Sequence, residues 1–206
     1  IIKKFDACWV PDIKNEPNLS GKLGHPKTFE TPTEYIGTLS RFEKKQQKPI
    51  NSLMVLLSGP EPQRALLEEK LLAELKSYLG KIVFVKGIME QEQTIQILGN
   101  MTIYNFMTSE LLEKTINEST LIISRSGYTT LMDLAKLNKK AFFIPTPGQF
   151  EQEYLAERLT KTGLVPSCNQ DEFTLEKLKD IDAFKGLKAF DFEADFTSLF
   201  SLFERK

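Results

Sequence analysis

The chain has 206 residues, 41% of them hydrophobic and 27% charged, with 27 basic against 28 acidic side chains and a formal net charge of −1. That composition fits an ordinary globular protein with room for one generous domain, and the charge balance gives no support to nucleic-acid binding. A sole histidine, His25, nearly excludes a histidine-based zinc site, and two cysteines, Cys8 and Cys168, at no metal or redox spacing point to a reducing compartment.

In chain order, Phe5 to Val10 reads as a short strand stopped by Pro11-Asp12. Residues 13–48 are rich in Pro, Gly, Asn, Thr and Lys, show little periodicity and read as a long connection rather than core. Leu53-Met54-Val55-Leu56-Leu57 is a continuous apolar run, as expected of a parallel strand covered on both faces. From Pro62 to Tyr78, Leu66, Leu67, Leu71, Leu72 and Leu75 recur at helical spacing, with Pro62 suited to a first turn and Gly80 as the stop. Strands follow at Ile82 to Val85 and, after a polar stretch, Met101 to Phe106. A helix from Ser109 to Asn117 precedes a strand at Leu121 to Ile123. A helix opening near Thr130, a strand Ala141 to Ile144 and a helix Phe150 to Thr162 complete the series. This β-α-β-α order predicts an α/β fold, a doubly wound, Rossmann-like parallel sheet with right-handed crossovers. Near the end, Phe192, Phe196, Leu199, Phe200 and Phe203 share one helical stripe. No apolar run approaches the roughly 18 residues that a membrane span needs.

Two strand-to-helix turns carry the chemistry. The first, Ser126-Gly127-Tyr128-Thr129-Thr130, is built of small residues and opens a helix carrying Asp133. Such a turn leaves backbone N–H groups unpaired at the positive end of a helix dipole, which suits a phosphate. Ser and Thr also cap helices, and Asp133 could be no more than an acid favoured by that dipole. The second turn, Ile144 to Glu153, crowds Gln149, Glu151 and Gln152 after Pro145-Thr146-Pro147-Gly148. Amides and carboxylates both suit polyol hydroxyls, although the same residues are common in solvated first turns. Two such turns in series describe a crevice for a nucleotide diphosphate.

The sequence S-G-x-x-T-x-x-D followed by P-x-P and a Gln-rich turn resembles the donor-binding half of GT-B glycosyltransferases of the family 28 type, over about residues 35 to 165. The resemblance implies the C-terminal half of such an enzyme, a UDP-linked sugar as donor and inverting transfer. It places Ser126, Gly127, Thr129 and Thr130 on the diphosphate, Asp133 on the ribose hydroxyls and Gln149, Glu151 and Gln152 on the sugar. Gly37-Thr38-Leu39-Ser40-Arg41 is similar to the family's G-x-P-x-R segment, which would bring Arg41 to the diphosphate; Leu39 replaces the proline. Phe106 falls where the base is held, and Gly59 where the family has a glycine-rich loop, although Pro60 and Pro62 remove backbone donors there.

The expected organisation is an N-terminal strand and linker over 1–49, a nucleotide-sugar-binding domain over 50–180 and an amphipathic helix over 181–206 that returns to an N-terminal half. That half, or a partner subunit, would hold the acceptor site, the catalytic base and any peripheral membrane contact. No metal and no cofactor is implied, the setting is cytoplasmic, and His25, lying in the linker, is not assigned to catalysis. A donor-binding subunit of a two-chain transferase and a hydrolysing sugar-nucleotide epimerase are the alternatives. If the chain is one half of a larger enzyme, both ends should be loose or should drive self-association.

Overall fold

Two short strands, β1 (Cys8–Val10) and β2 (Thr33–Tyr35), pair in parallel as a ribbon of their own. The main sheet follows from β3 (Asn51–Leu56), β4 (Ile82–Val85), β5 (Ile95–Leu98), β6 (Met101–Tyr104), β7 (Ser119–Ser124) and β8 (Lys140–Phe143), in the spatial order β5-β6-β4-β3-β7-β8. Every pairing is parallel except β5 with β6. Helices α1 (Gln63–Glu74), α2 (Ser109–Asn117) and α3 (Tyr128–Lys136) make crossovers between strands, α4 (Phe150–Lys161) follows β8, and all four start from the carboxyl ends of the strands. The computed structural model describes residues 4–187 and residue Phe200.

The strands are apolar throughout because both faces are covered. Met54, Val83, Ile122 and Phe143 face α3 and α4, where they meet Leu131, Leu134, Leu155 and Leu159. Their alternating neighbours Leu53, Val55, Ile82, Phe84 and Ile123 face α1, against Leu67 and Leu71. The chain builds outward from β3 through β4 to β6, then crosses back to lay β7 on the other side of β3. The loops after β3 and β7 therefore leave in different directions, and the crevice between them is where open α/β sheets bind ligands.

The linker differs from the expected loose connection. Leu19, Ile36 and Phe42 are buried, and Leu19 and Phe42 join the α3–α4 core. Asp12, wholly buried, organises this segment: its carboxylate accepts from the N–H of Ile13 (2.8 Å), Leu19 (3.0 Å) and Ser20 (2.7 Å), and from the Ser20 hydroxyl. His25 stacks on Tyr35, its ring nitrogens 3.0 Å from the Ile13 carbonyl and 3.1 Å from that of Gly21. The sole histidine thus closes a loop. Strand β5 and its antiparallel hairpin were not predicted at all.

At the C-terminal end, 3-10 turns cover Leu175–Ala183, and Leu187 is buried in the α3–α4 core. Most of the predicted amphipathic helix, with Phe192, Phe196, Leu199 and Phe203, lies outside the described residues; Phe200 meets Trp9 edge-on at 6.0 Å. Among the described residues no helix is long and apolar enough to cross a membrane.

Candidate functional site

The turn after β7 keeps its backbone free. Gly127 is the N-cap of α3, and no side chain caps this helix. Thr108, by contrast, caps α2 by accepting from Leu111 N–H. Among the described residues, no acceptor takes the N–H groups of Gly127, Tyr128 or Thr129. Gly127 has ordinary extended backbone, φ −68° and ψ 140°, and a Cβ built on it would meet nothing within 4 Å. The glycine is therefore not required by the turn; the space above it is open. An uncapped helix start with open space before it is an anion-binding geometry. The hydroxyls of Thr129, exposed, and Thr130, half-buried, have no hydrogen-bond partner among the described residues.

Ser126 corrects the prediction. Its side chain is wholly buried, and its hydroxyl donates to the Gln152 carbonyl at 2.7 Å, so it is turned away from any ligand. It ties the first turn to the second. Gln152 likewise works inward: its Oε1 accepts from Thr146 N–H at 2.9 Å and its Nε2 donates to Gln149 Oε1 at 2.9 Å. Glu153 Oε1 accepts from Gly148 N–H, which closes the Pro147-Gly148 corner where Gly148 has φ +78°. Gln149 and Glu151 remain exposed at the start of α4, which also lacks a side-chain cap.

Asp133 lies one turn into α3 and is joined by the linker. Ser40 Oγ donates to Asp133 Oδ1 at 2.7 Å, and Arg41 acts on the same carboxylate electrostatically. Burial holds the Asp133 carboxyl above its ordinary range, and these two neighbours only partly oppose that. The predicted Arg41 and Asp133 are thus brought together, with Asp133 Oδ2 left to accept. Arg41 itself is exposed, its guanidinium 5.0 Å from the Phe42 ring at the edge of a groove shared with Lys45, Ser109 and Glu113.

Gly59 stands exposed after β3 at φ +107°, with the buried Thr146 hydroxyl 3.6 Å from where a Cβ would lie. Its positive φ is one that side-chain-bearing residues rarely adopt. Phe106 is half-buried at the end of β6. Its N–H donates to Asn105 Oδ1, so that donor is taken, while its carbonyl accepts from Gln93 Nε2 and keeps a second lone pair.

Three residues with a part in this architecture have no role of their own in the sequence reading, although Asn105 and Ser40 lie in segments that the resemblance brings to the site. Asn105, buried, takes Thr94 N–H and gives to Glu90 and Glu92, which folds the loop before β5 over the end of β6. Ser40 was passed over in favour of Arg41. Arg125, fully buried, was read as nothing. Only the last had a visible signal, a charged residue joining an apolar strand to the small-residue turn.

Residues 62–182, more than half of the chain, match the family described as the glycosyltransferase family 28 C-terminal domain. The chain belongs to that family. A relative from Glaesserella parasuis serovar 5, the UDP-N-acetylglucosamine--N-acetylmuramyl-(pentapeptide) pyrophosphoryl-undecaprenol N-acetylglucosamine transferase, is 31% identical over 145 residues, covering 67% of this chain and 39% of its own length. The crystal structure of Acinetobacter baumannii MurG superposes with a TM-score of 0.57 at 21% identity, over 88% of this chain and 58% of that one. Spinosyn rhamnosyltransferase SpnG gives a TM-score of 0.60 at 12% identity, over 90% of this chain and 55% of that one. At these identities the superpositions speak for the fold alone: the C-terminal Rossmann-like domain of GT-B glycosyltransferases. The chain spans less than half the length of the curated relatives it matches. The family 28 assignment and the parallel doubly wound sheet agree with what the sequence predicts.

Proposed function

We propose that this family 28 domain binds the nucleotide-sugar donor, a UDP-sugar, in a glycosyltransferase that works with inversion. The observation that carries the reading is the uncapped start of α3 at the switch point of the sheet, open above Gly127. The diphosphate sits over the N–H groups of Gly127, Tyr128 and Thr129, with the hydroxyls of Thr129 and Thr130 beside it. Asp133 Oδ2 accepts from a ribose hydroxyl while Ser40 holds Oδ1. Gln149 and Glu151, exposed on the second turn, meet the sugar.

As the acceptor displaces the nucleotide, negative charge grows on the departing diphosphate. Fixed N–H dipoles already aimed at that place stabilise it without having to reorganise. The acceptor and the group that takes its proton come from outside these residues. The unpaired Cys8 and Cys168 support a cytoplasmic setting.

A thermal-shift series with UDP, GDP and dTDP tests the reading, because a ligand that binds only the folded state raises the melting temperature by mass action. UDP is expected to stabilise most. Gly127→Val is expected to keep the fold, since its backbone angles suit valine and the space is free, and to weaken UDP binding by about tenfold or more, about 1.4 kcal/mol. No shift with any of the three nucleotides would defeat the donor-site reading.

A further inference from the structure

Among the described residues Arg125 is the largest side chain that is fully buried, and no carboxylate there answers its charge. Its Nη1 donates to the carbonyls of Ile144 (3.1 Å) and Pro145 (3.0 Å), and its Nη2 to the carbonyl of Gln63 (2.8 Å) and to Gln170 Oε1 (2.7 Å). Among the described residues its Nε has no hydrogen-bond partner. Among the described residues no carboxylate pairs with it; the side chain at hydrogen-bond distance is a neutral amide. Buried charges are ordinarily paired, because an isolated ion is expensive to remove from water. Burial does draw the guanidinium down to about 10, which still leaves it charged at neutral pH.

The position of this cation is specific. Arg125 directly precedes Ser126 and the open turn of α3, and three of its four bonds grip the start of the Pro145-Thr146-Pro147 turn and the first residue of α1. Three segments that border the switch-point crevice are thus held by one uncompensated positive charge beneath them. A structural brace alone would be as well served by a paired arginine, since a carboxylate at position 170 could accept the same Nη2 bond.

We infer that Arg125 is a positioning residue whose unneutralised charge, without touching the ligand, raises the affinity of the crevice for a diphosphate. Field from a buried charge is weakly screened, so it reaches an anion above the turn through low-dielectric protein. The absence of a carboxylate near Arg125 is then part of the site, and Gln170 is its guardian: the residue accepts the bond and leaves the charge intact. This rests on the donor-site reading above.

Gln170→Glu is the decisive variant, because it keeps size and acceptor while supplying the missing negative charge; the Gln63 amide, now 3.2 Å from Gln170 Nε2, can turn to donate. Gln170→Ala removes the bond without adding charge. Affinities of the full 206-residue chain for UDP and for uridine are measured by calorimetry or nuclear magnetic resonance titration. The expected result is that Gln170→Glu weakens UDP by about five- to tenfold, the scale of one unit charge acting through partly shielded protein. Uridine should bind as in the wild type, and Gln170→Ala should leave the UDP affinity within about twofold. Unchanged UDP affinity in Gln170→Glu overturns the inference. So does an equal loss for UDP and uridine, or an equal loss in both variants, since either would mean a structural role. A wild-type chain that binds neither UDP nor uridine would instead defeat the donor-site reading itself.

Discussion

In the proposed donor site, Asp133 is the residue at which stability and binding would pull in opposite directions. Its carboxyl is held above the ordinary range by burial, against the opposing Ser40 bond and the Arg41 charge. A raised carboxyl contributes stability while it is protonated, below its unfolded value, and that contribution is lost as pH rises through the folded value. At neutral pH the ionised, half-buried group is therefore a net burden on the fold. Asp133→Asn removes the charge and still accepts from Ser40. It is expected to melt higher than wild type at pH 7, with the advantage shrinking as pH falls and the buried aspartate takes up its proton. The same change should weaken UDP by about 1–3 kcal/mol, the effect of losing a charge-assisted hydrogen bond. Higher stability with lower affinity is the mark of a carboxylate kept for its ligand. A variant that melts no higher at pH 7 and binds UDP as before would remove Asp133 from the site.

At the scale of elements, the two strand-to-helix turns act as one unit through Ser126 and Gln152. The sequence suggests ligand contact for both side chains, whereas the structure turns the Ser126 hydroxyl to the Gln152 carbonyl and the Gln152 amide to Thr146 N–H and Gln149 Oε1. Ser126→Ala is accordingly expected to cost about 1 kcal/mol of stability, the loss of the one hydrogen bond by which the first turn holds the second, while UDP affinity changes less than about threefold. A large loss of affinity at unchanged stability would restore the hydroxyl to the ligand. The contrast shows which links are legible in sequence. Runs such as Leu53 to Leu57 and Leu121 to Ile123 announce parallel strands because burial on both faces leaves no polar position. A small-residue turn before a helix likewise announces an uncapped helix start from backbone chemistry alone. The side of the turn to which a serine rotates depends on a carbonyl 26 residues away in the chain, and no local pattern contains that. Strand β5 escaped for a different reason: all four of its residues are exposed, so the Ile-Gln-Ile-Leu run carries no core signal. Gly99-Asn100 between it and β6, with Gly99 at φ +60°, was the available hairpin cue.

For the molecule as a whole, the departure that matters is the N-terminal segment, which is woven into the donor domain rather than trailing from it. Its hook around Asp12 is clamped at three places. Tyr128, the first residue of α3, donates its hydroxyl to the Pro11 carbonyl at 2.7 Å. Tyr154 on α4 accepts from Lys22 N–H at 2.9 Å, and Arg158 holds Glu16 and Asn18. Tyr128 and Tyr154 belong to the helices that open the two site turns, so the hook and the site share supports. Composition hid this, because Pro, Gly, Asn and Lys look the same in a free linker and in a loop organised by one buried carboxylate. Asp12→Ala would strand the Leu19 and Ser20 N–H groups in the interior, and it should release Leu19 from the core. The expected loss is about 2–4 kcal/mol, from the unpaired donors and the exposed leucine together. For a chain of this size that corresponds to a fall in melting temperature of about 5–10 °C. Asp12→Asn, which can still accept from one or two of those donors, should lose less. The accompanying reading is proteolysis: with the hook undone, cleavage between residues 13 and 30 should accelerate while the body of the sheet resists. If Asp12→Ala melts with the wild type and is cut no faster, the hook is an ornament on an independent domain, and the linker reads as its composition first implied.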